Sequence, residues 1–286
     1  MKIAIVTDSG TTLTKQEANE LGLYFLPLLI LDGETTYRDG IDITNREVFA
    51  LIEQGKLLKT SFATAGETTE LFKAIKKEGY EHILAIPLAE NLSGQKQSWQ
   101  LCADDVGIPI SFIETYTLAG VQRYIALAAK QLVDAGKELD EINAILKECI
   151  KHSNTLVIPY DLEHLKRGGR LTPMAATLAG MLKIKPVLTI NEKTGGKLDT
   201  FAKVRTMPKA LQLAVDAFKK EEDFDEHFHI EIEHTIAPEH VDTLERLYFD
   251  PYPKAQKRNV ATTAFIAVHT GLGAVAIQYV KKIGEF

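Results

Sequence analysis

Short apolar runs alternate with amphipathic stretches through the first half of the chain, and that rhythm leaves few folds open. Strand-like runs at Lys2–Val6, Leu23–Leu31, His82–Leu88 and Pro109–Ile113 are separated by helical patterns at Gln16–Leu21, Glu67–Lys77, Gln95–Ala103 and Leu118–Ala135. A strand, a helix and a second strand close most readily as a parallel pair, with the helix crossing over one face. The expectation is a mostly parallel sheet covered on both sides. Thr7-Asp8-Ser9 supplies capping groups after the first strand. Asp32-Gly33 and Asp39-Gly40 signal turns around a hairpin-like excursion at Thr35–Arg38. Thr44-Asn45-Arg46-Glu47 matches a capping box, opening a helix to about Gln54.

The rhythm changes after a helix at Leu139–Lys151. Strand Thr155–Tyr160, an Arg/Gly loop and a short helix after Pro173 lead to strands Ile184–Ile190 and Lys197–Val204 around the hairpin signal Thr194-Gly195-Gly196. Helix Pro208–Lys219, strand His227–His234, helix Pro238–Tyr248 and an apolar segment Val260–Val280 complete the chain. Hairpins mixed with helices predict an α+β unit with a mixed or antiparallel sheet. The expected organisation is an N-terminal α/β domain over residues 1–152 and a C-terminal α+β domain over 153–286.

Composition narrows the function. Net charge is −6 with no basic run and a single Trp, which argues against nucleic acid as a partner. Cys102 and Cys149 form neither a disulfide framework nor a zinc site and suit a reduced compartment. The apolar run Leu23–Leu31 contains Pro27 and falls far short of the roughly 20 residues that span a bilayer. Asp8 interrupts the first apolar run well before the length of a signal-peptide core. A soluble, cytoplasmic protein is expected.

Four polar stretches carry the chemistry. Ser93-Gly94 follows a strand and opens a helix, so Ser93 either caps that helix or, with the free amides there, receives an anion. Thr60-Ser61 precedes the helix at Glu67 and admits the same two readings. Arg167-Gly168-Gly169-Arg170 joins two conformationally free residues to two forked cations, fit for a carboxylate or phosphate, or for a solvated turn. His269-Thr270-Gly271-Leu272-Gly273 ends an apolar run, where a His is either a core residue or a partner for a carboxylate. No phosphate loop or dinucleotide fingerprint occurs. His227, His229, Glu231 and Glu233 alternate with Phe228, Ile230 and Ile232, which predicts the solvated face of a half-buried strand; a metal site there lacks a supporting motif. Catalytic residues and cofactors are not indicated. A Ser93/His269 hydrolase or acyltransferase remains the competing enzyme reading, without the usual Gly-x-Ser-x-Gly elbow.

In this order the motifs resemble the DegV family of bacterial lipid-binding proteins, among them the FakB-like fatty-acid-binding subunits of bacterial fatty acid kinase. The matching stretches are Ile5-Val6-Thr7-Asp8-Ser9, Thr60-Ser61, Leu92-Ser93-Gly94 with Gln97-Ser98, and Leu165-Lys166-Arg167-Gly168-Gly169-Arg170. They continue through Leu182-Lys183-Ile184-Lys185-Pro186-Val187-Leu188, Lys203-Val204-Arg205 and His269-Thr270-Gly271. The resemblance implies a long-chain fatty acid in a tunnel between the two domains. Its carboxylate would meet Thr60, Ser61, Ser93, Gly94, His269 and Thr270, with Arg170 and Arg205 orienting the ligand or meeting a partner. That partner would be a separate, dihydroxyacetone-kinase-like fatty acid kinase subunit, which makes the acyl phosphate for phospholipid synthesis; transient contact with a membrane surface also belongs to this picture. The chain departs from the family pattern at Phe62-Ala63-Thr64, Gln95-Lys96, Glu114-Thr115 and Leu272, which leaves the acyl preference open and keeps another small anion as an alternative ligand.

Overall fold

In the computed structural model, which describes residues 1–180, 184–218 and 224–284, β1 (Ile3–Asp8) is buried along its whole length and pairs in parallel on both sides. The four-stranded sheet runs β2 (Tyr24–Leu26), β1, β6 (His82–Ile86), β7 (Ile110–Phe112). Side-chain alternation divides its core: Ile3, Ile5, Leu84 and Ile86 join one apolar cluster, Ala4, Val6, Ile83 and Ala85 another. Helices α5 (Ala119–Asp134) and α6 (Leu139–Lys151) cover the first through Ile125 and Leu146; α3 (Ala65–Lys77) and α4 (Gln95–Val106) cover the second through Phe72 and Trp99. The short α1 (Lys15–Glu20) and α2 (Asn45–Glu53) both open with capping boxes, at Thr14/Glu17 and Thr44/Glu47.

The six-stranded sheet is mixed. Its order is β10 (Asp199–Val204), β9 (Lys185–Ile190), β8 (Ser153–Ile158), β13 (Val275–Lys281), β11 (Phe228–His234), β12 (Gln256–Ala261), with only β11 and β12 parallel. α9 (Met207–Phe218) and α11 (Pro238–Leu244) pack on one face, where Phe218 and Tyr248 are fully buried beside Ile230 and Ile277. Truncating a ring such as Phe218 would cost about 3–5 kcal/mol. The other face turns towards the parallel sheet. α7 (Leu162–Arg167), α8 (Pro173–Ala176) and α10 (Phe224–His227) are single-turn connections.

α12 (Ala264–Thr270) follows β12 in the chain yet seats its apolar side on the N-terminal half, placing Ala264 and Val268 with Ile30, Ile43 and Val48. Asn45 pins its entry, accepting from the Ala264 amide (2.8 Å) and donating to the Thr262 carbonyl (2.9 Å).

Several expectations are corrected. The run Leu23–Leu31 is two strands: Pro27 has no amide to donate, so pairing stops and resumes as β3 (Leu29–Asp32), the centre of a separate three-stranded sheet with β4 (Thr35–Arg38) and β5 (Lys59–Ser61). Thr60-Ser61 therefore belongs to a strand, not a loop. Val260–Val280 resolves into β12, α12 and β13. The predicted solvated face of β11 is buried: His229, Glu231 and Glu233 are 3%, 0% and 4% exposed, because the N-terminal half covers them. Leu182-Lys183 and Lys219 lie outside the described residues.

Candidate functional site

The two halves enclose an apolar cavity. Leu88, Leu92 and Leu118 line it from the carboxyl edge of the parallel sheet, Val157 and Ala276 from the six-stranded sheet, and Phe265 and Ile266 from α12. Loops at that edge are where ligands of open α/β sheets usually sit. The cavity is a small bore of about 80 Å³, room for several waters.

One end is polar. Thr60 on β5 and His269 on α12, 209 residues apart, meet at 2.7 Å between Oγ1 and Nε2. Nδ1 of the same ring is buried and has no partner among the described residues. Burial, then the nearby Arg170 and His164, push the His269 imidazole down to about 3, so it is neutral at physiological pH. Arg170 spends Nε on the Leu92 carbonyl (3.4 Å) and Nη1 on the Gly168 carbonyl. Among the described residues no carboxylate pairs with it. Gly168 is the residue that lets α7 approach: a Cβ there would lie 2.9 Å from His269 Nδ1. His164 ties α7 to α12 through the Val268 carbonyl (2.8 Å).

Arg170 and His269 also line a second recess of about 380 Å³, shared with Lys59, Thr60, Arg167 and Gly168. The two residues thus stand between the apolar bore and a cationic opening.

Of the residues singled out in the sequence, Thr60, His269, Arg170 and Thr270 gather here. Thr270 lines the cavity, but its hydroxyl donates to the Ile266 carbonyl (3.1 Å). Ser61 follows Thr60 along β5, faces the other way, and lines neither space. Ser93 accepts from the Gln95 amide (3.3 Å) and Gly94 lies against the Phe62 ring, so this turn abuts the site without lining it. Ser93 and His269 are not paired, since Thr60 holds the Nε2 that a dyad would need. Arg205 is exposed and absent from both walls. Leu198, whose amide donates to the Arg170 carbonyl, lies at the opposite end of β10, about 23 Å away along an extended strand.

Sequence reasoning missed the polar seam beside the cavity. Glu231 binds Arg123 (2.9 Å), Arg258 (2.9 Å) and His229 (3.1 Å), tying β11 to α5 and β12. Burial would raise its pKa, but His229, Arg123 and Arg258 outweigh that and hold it at about 2. For Glu233, burial and then the Glu231 charge push the pKa well above the usual carboxylate range. The Gly120 amide donates to Glu233 (3.0 Å) and Gln278 (2.7 Å), aimed there by Ala119, which takes φ +63. Gly120 admits no side chain: a Cβ would lie 2.5 Å from Glu231 Oε2. Asp8 caps the turn after β1, as expected, and does more than that. It accepts from Leu88 and Gly10 amides and from Gln95 and Gln122, fixing the corner that carries Leu88; burial nonetheless pushes its carboxyl up to about 6. The alternation on β11 signalled the polar face; nothing local signalled what covers it.

Among the described residues no cluster fit to hold a metal is present, and no helix is long and apolar enough to cross a membrane. A model of the DegV family, described as uncharacterised proteins, matches residues 2–282. A DegV domain-containing protein of Streptococcus pneumoniae is 30% identical over 287 residues, covering 99% of this chain and all of the relative. One from Mycoplasmopsis pulmonis is 30% identical over 281 residues, covering 98% and 96%. The crystal structure of a fatty acid binding DegV family protein from Streptococcus agalactiae superposes with a TM-score of 0.89 at 30% identity, covering 99% of each chain. That of DegV from Bacillus subtilis, described as a fatty acid binding protein, gives 0.88 at 26% identity, covering 99% and 100%. The chain belongs to the DegV family.

Proposed function

We propose that this DegV-family chain is a non-enzymatic carrier that takes a long-chain fatty acid into the bore and holds its carboxylate at Thr60, His269 and Arg170. The observation that carries this reading is an apolar cavity ending at a half-buried guanidinium with no carboxylate partner, and at a buried imidazole nitrogen with no partner among the described residues. Burying an acyl chain contributes about 0.8 kcal/mol per methylene before association costs, and only a paired carboxylate tolerates burial. Arg170 supplies the charge; Thr60 and His269 supply directional bonds. Relatives described as fatty acid binding support the same ligand.

The finer reading is that the carboxylate is presented through the cationic recess to a separate ATP-dependent kinase subunit, where Lys59 and Arg167 favour an incoming phosphoryl donor. Phospholipid synthesis would consume the acyl phosphate. Organic extraction of the purified protein followed by mass spectrometry tests the ligand. A near-stoichiometric fatty acid is expected; an empty extract from folded protein that also rejects added fatty acids would exclude the carrier reading.

A further inference from the structure

The wall of the bore holds a hydroxyl that nothing satisfies. Thr262 is 3% exposed, lines the cavity, and its Oγ1 has no hydrogen-bond partner among the described residues. Buried hydroxyls are ordinarily paired, so this one calls for an occupant. Its direction is set by the backbone. The Thr262 amide donates to the His234 carbonyl (3.0 Å), and its carbonyl accepts from Asn45 (2.9 Å). The register of β11 and β12 sets Arg258 opposite Glu231 and Val260 opposite Glu233. Thr262 extends that row by one more alternate position, onto the face turned towards the bore. Glu233 is its diagonal neighbour on the same face and also lines the cavity. Its carboxyl, which burial pushes towards the protonated form, adds polarity there.

Thr262 precedes α12 by two steps through the extended Thr263, and His269 lies near the helix's far end, so five steps of helical rise, about 7.5 Å, and those two steps separate them. A long-chain acid that lies along α12 with its carboxylate at His269 passes Thr262 well beyond its first few carbons, near mid-chain.

We propose that Thr262, with Glu233 beside it, forms a second polar subsite that receives a hydroxyl or keto oxygen carried at mid-chain by an acyl ligand. The inference rests on the fatty-acid reading above and narrows its ligand class. An unsubstituted chain lays methylenes against Oγ1 and leaves it unpaired; a mid-chain hydroxyl pairs it. A second charged group is disfavoured there, because Leu88, Ala119 and Phe265 make up the surrounding wall.

The test is calorimetric titration of delipidated full-length protein with octadecanoic acid and with 10-hydroxyoctadecanoic acid, for wild type and Thr262→Val. The hydroxy acid should bind wild type about five- to tenfold tighter, the worth of one buried hydrogen bond. In Thr262→Val, which keeps the shape of the wall, that ratio should fall to about one. A 3-hydroxy acid should show no gain. Equal affinity of the two octadecanoic acids for wild type overturns the subsite and leaves the carrier standing, with Oγ1 met by an ordered water only. A ratio unchanged by Thr262→Val overturns it as well. Binding of neither acid removes the carrier reading and this inference together.

Discussion

Two polar regions lie between the halves of the molecule, one buried and one half-buried, and they are built to opposite ends. In the seam between the halves, Glu231 meets two guanidiniums and an imidazole, and Glu233 takes a helix amide. At the end of the bore, Arg170 meets only carbonyls, and His269 Nδ1 meets nothing. Charge balance within the protein makes the first a fastener. Its absence suits the second to the receptor role proposed above, because a half-buried cation without a counter-charge gains from an anion.

Breaking the fastener should have the largest effect. Glu231→Leu leaves the half-buried Arg123 and Arg258 without their carboxylate and should cost about 3 kcal/mol in urea unfolding. A loss under about 1 kcal/mol would mean that solvent reaches the seam and that the contrast drawn above is mistaken. The receptor should respond in affinity instead. Arg170→Met is expected to weaken fatty-acid binding about 10- to 100-fold, the range for a charge-assisted hydrogen bond, while leaving the unfolding midpoint in place. A fall in stability matching that of Glu231→Leu would turn Arg170 into a structural cation.

Acid should separate the regions next. The folded His269 pKa lies near 3, below the ordinary 6.5, so the unfolded chain binds the proton first as pH drops. Stability from this group is complete above about pH 6.5 and declines towards pH 3, by about 2 kcal/mol at pH 5. Asp8 is shifted the opposite way and gains stability over part of that window, so the His269 contribution is read from the difference between wild type and His269→Gln. Parallel stability–pH curves for the two proteins would contradict the buried, neutral imidazole. The smallest effect is expected for Thr60→Val, which removes one bond to His269 and should weaken binding about three- to tenfold. Unchanged affinity would assign that hydroxyl to positioning the ring alone.

The parallel sheet was legible because its strands are buried on both faces and separated by full helical periods; the alternation of Ile3, Ile5 against Ala4, Val6 is a local property. The polar turns were legible as residue types. Their meeting was not. Thr60 and His269 are joined by the path of α12 into the N-terminal half, which no periodicity encodes. Arg205 shows the same limit in reverse: a basic residue in a matching motif, carried away from Arg170 by the length of β10. The β11 face was misread for a third reason. Alternation reports that one face is polar, but water and the pair Arg123 and Arg258 satisfy carboxylates equally well in the sequence.

The late position of α12 in the chain has a consequence for biosynthesis. Translation delivers Leu88, Leu92 and Leu118 early, as bare apolar walls, and His269 about 150 residues after the last of them. On the carrier reading proposed above, a nascent chain that has not yet made α12 lacks His269, so ligand would neither template the folding of the parallel sheet nor be held by such a chain. Loading would then wait for α12.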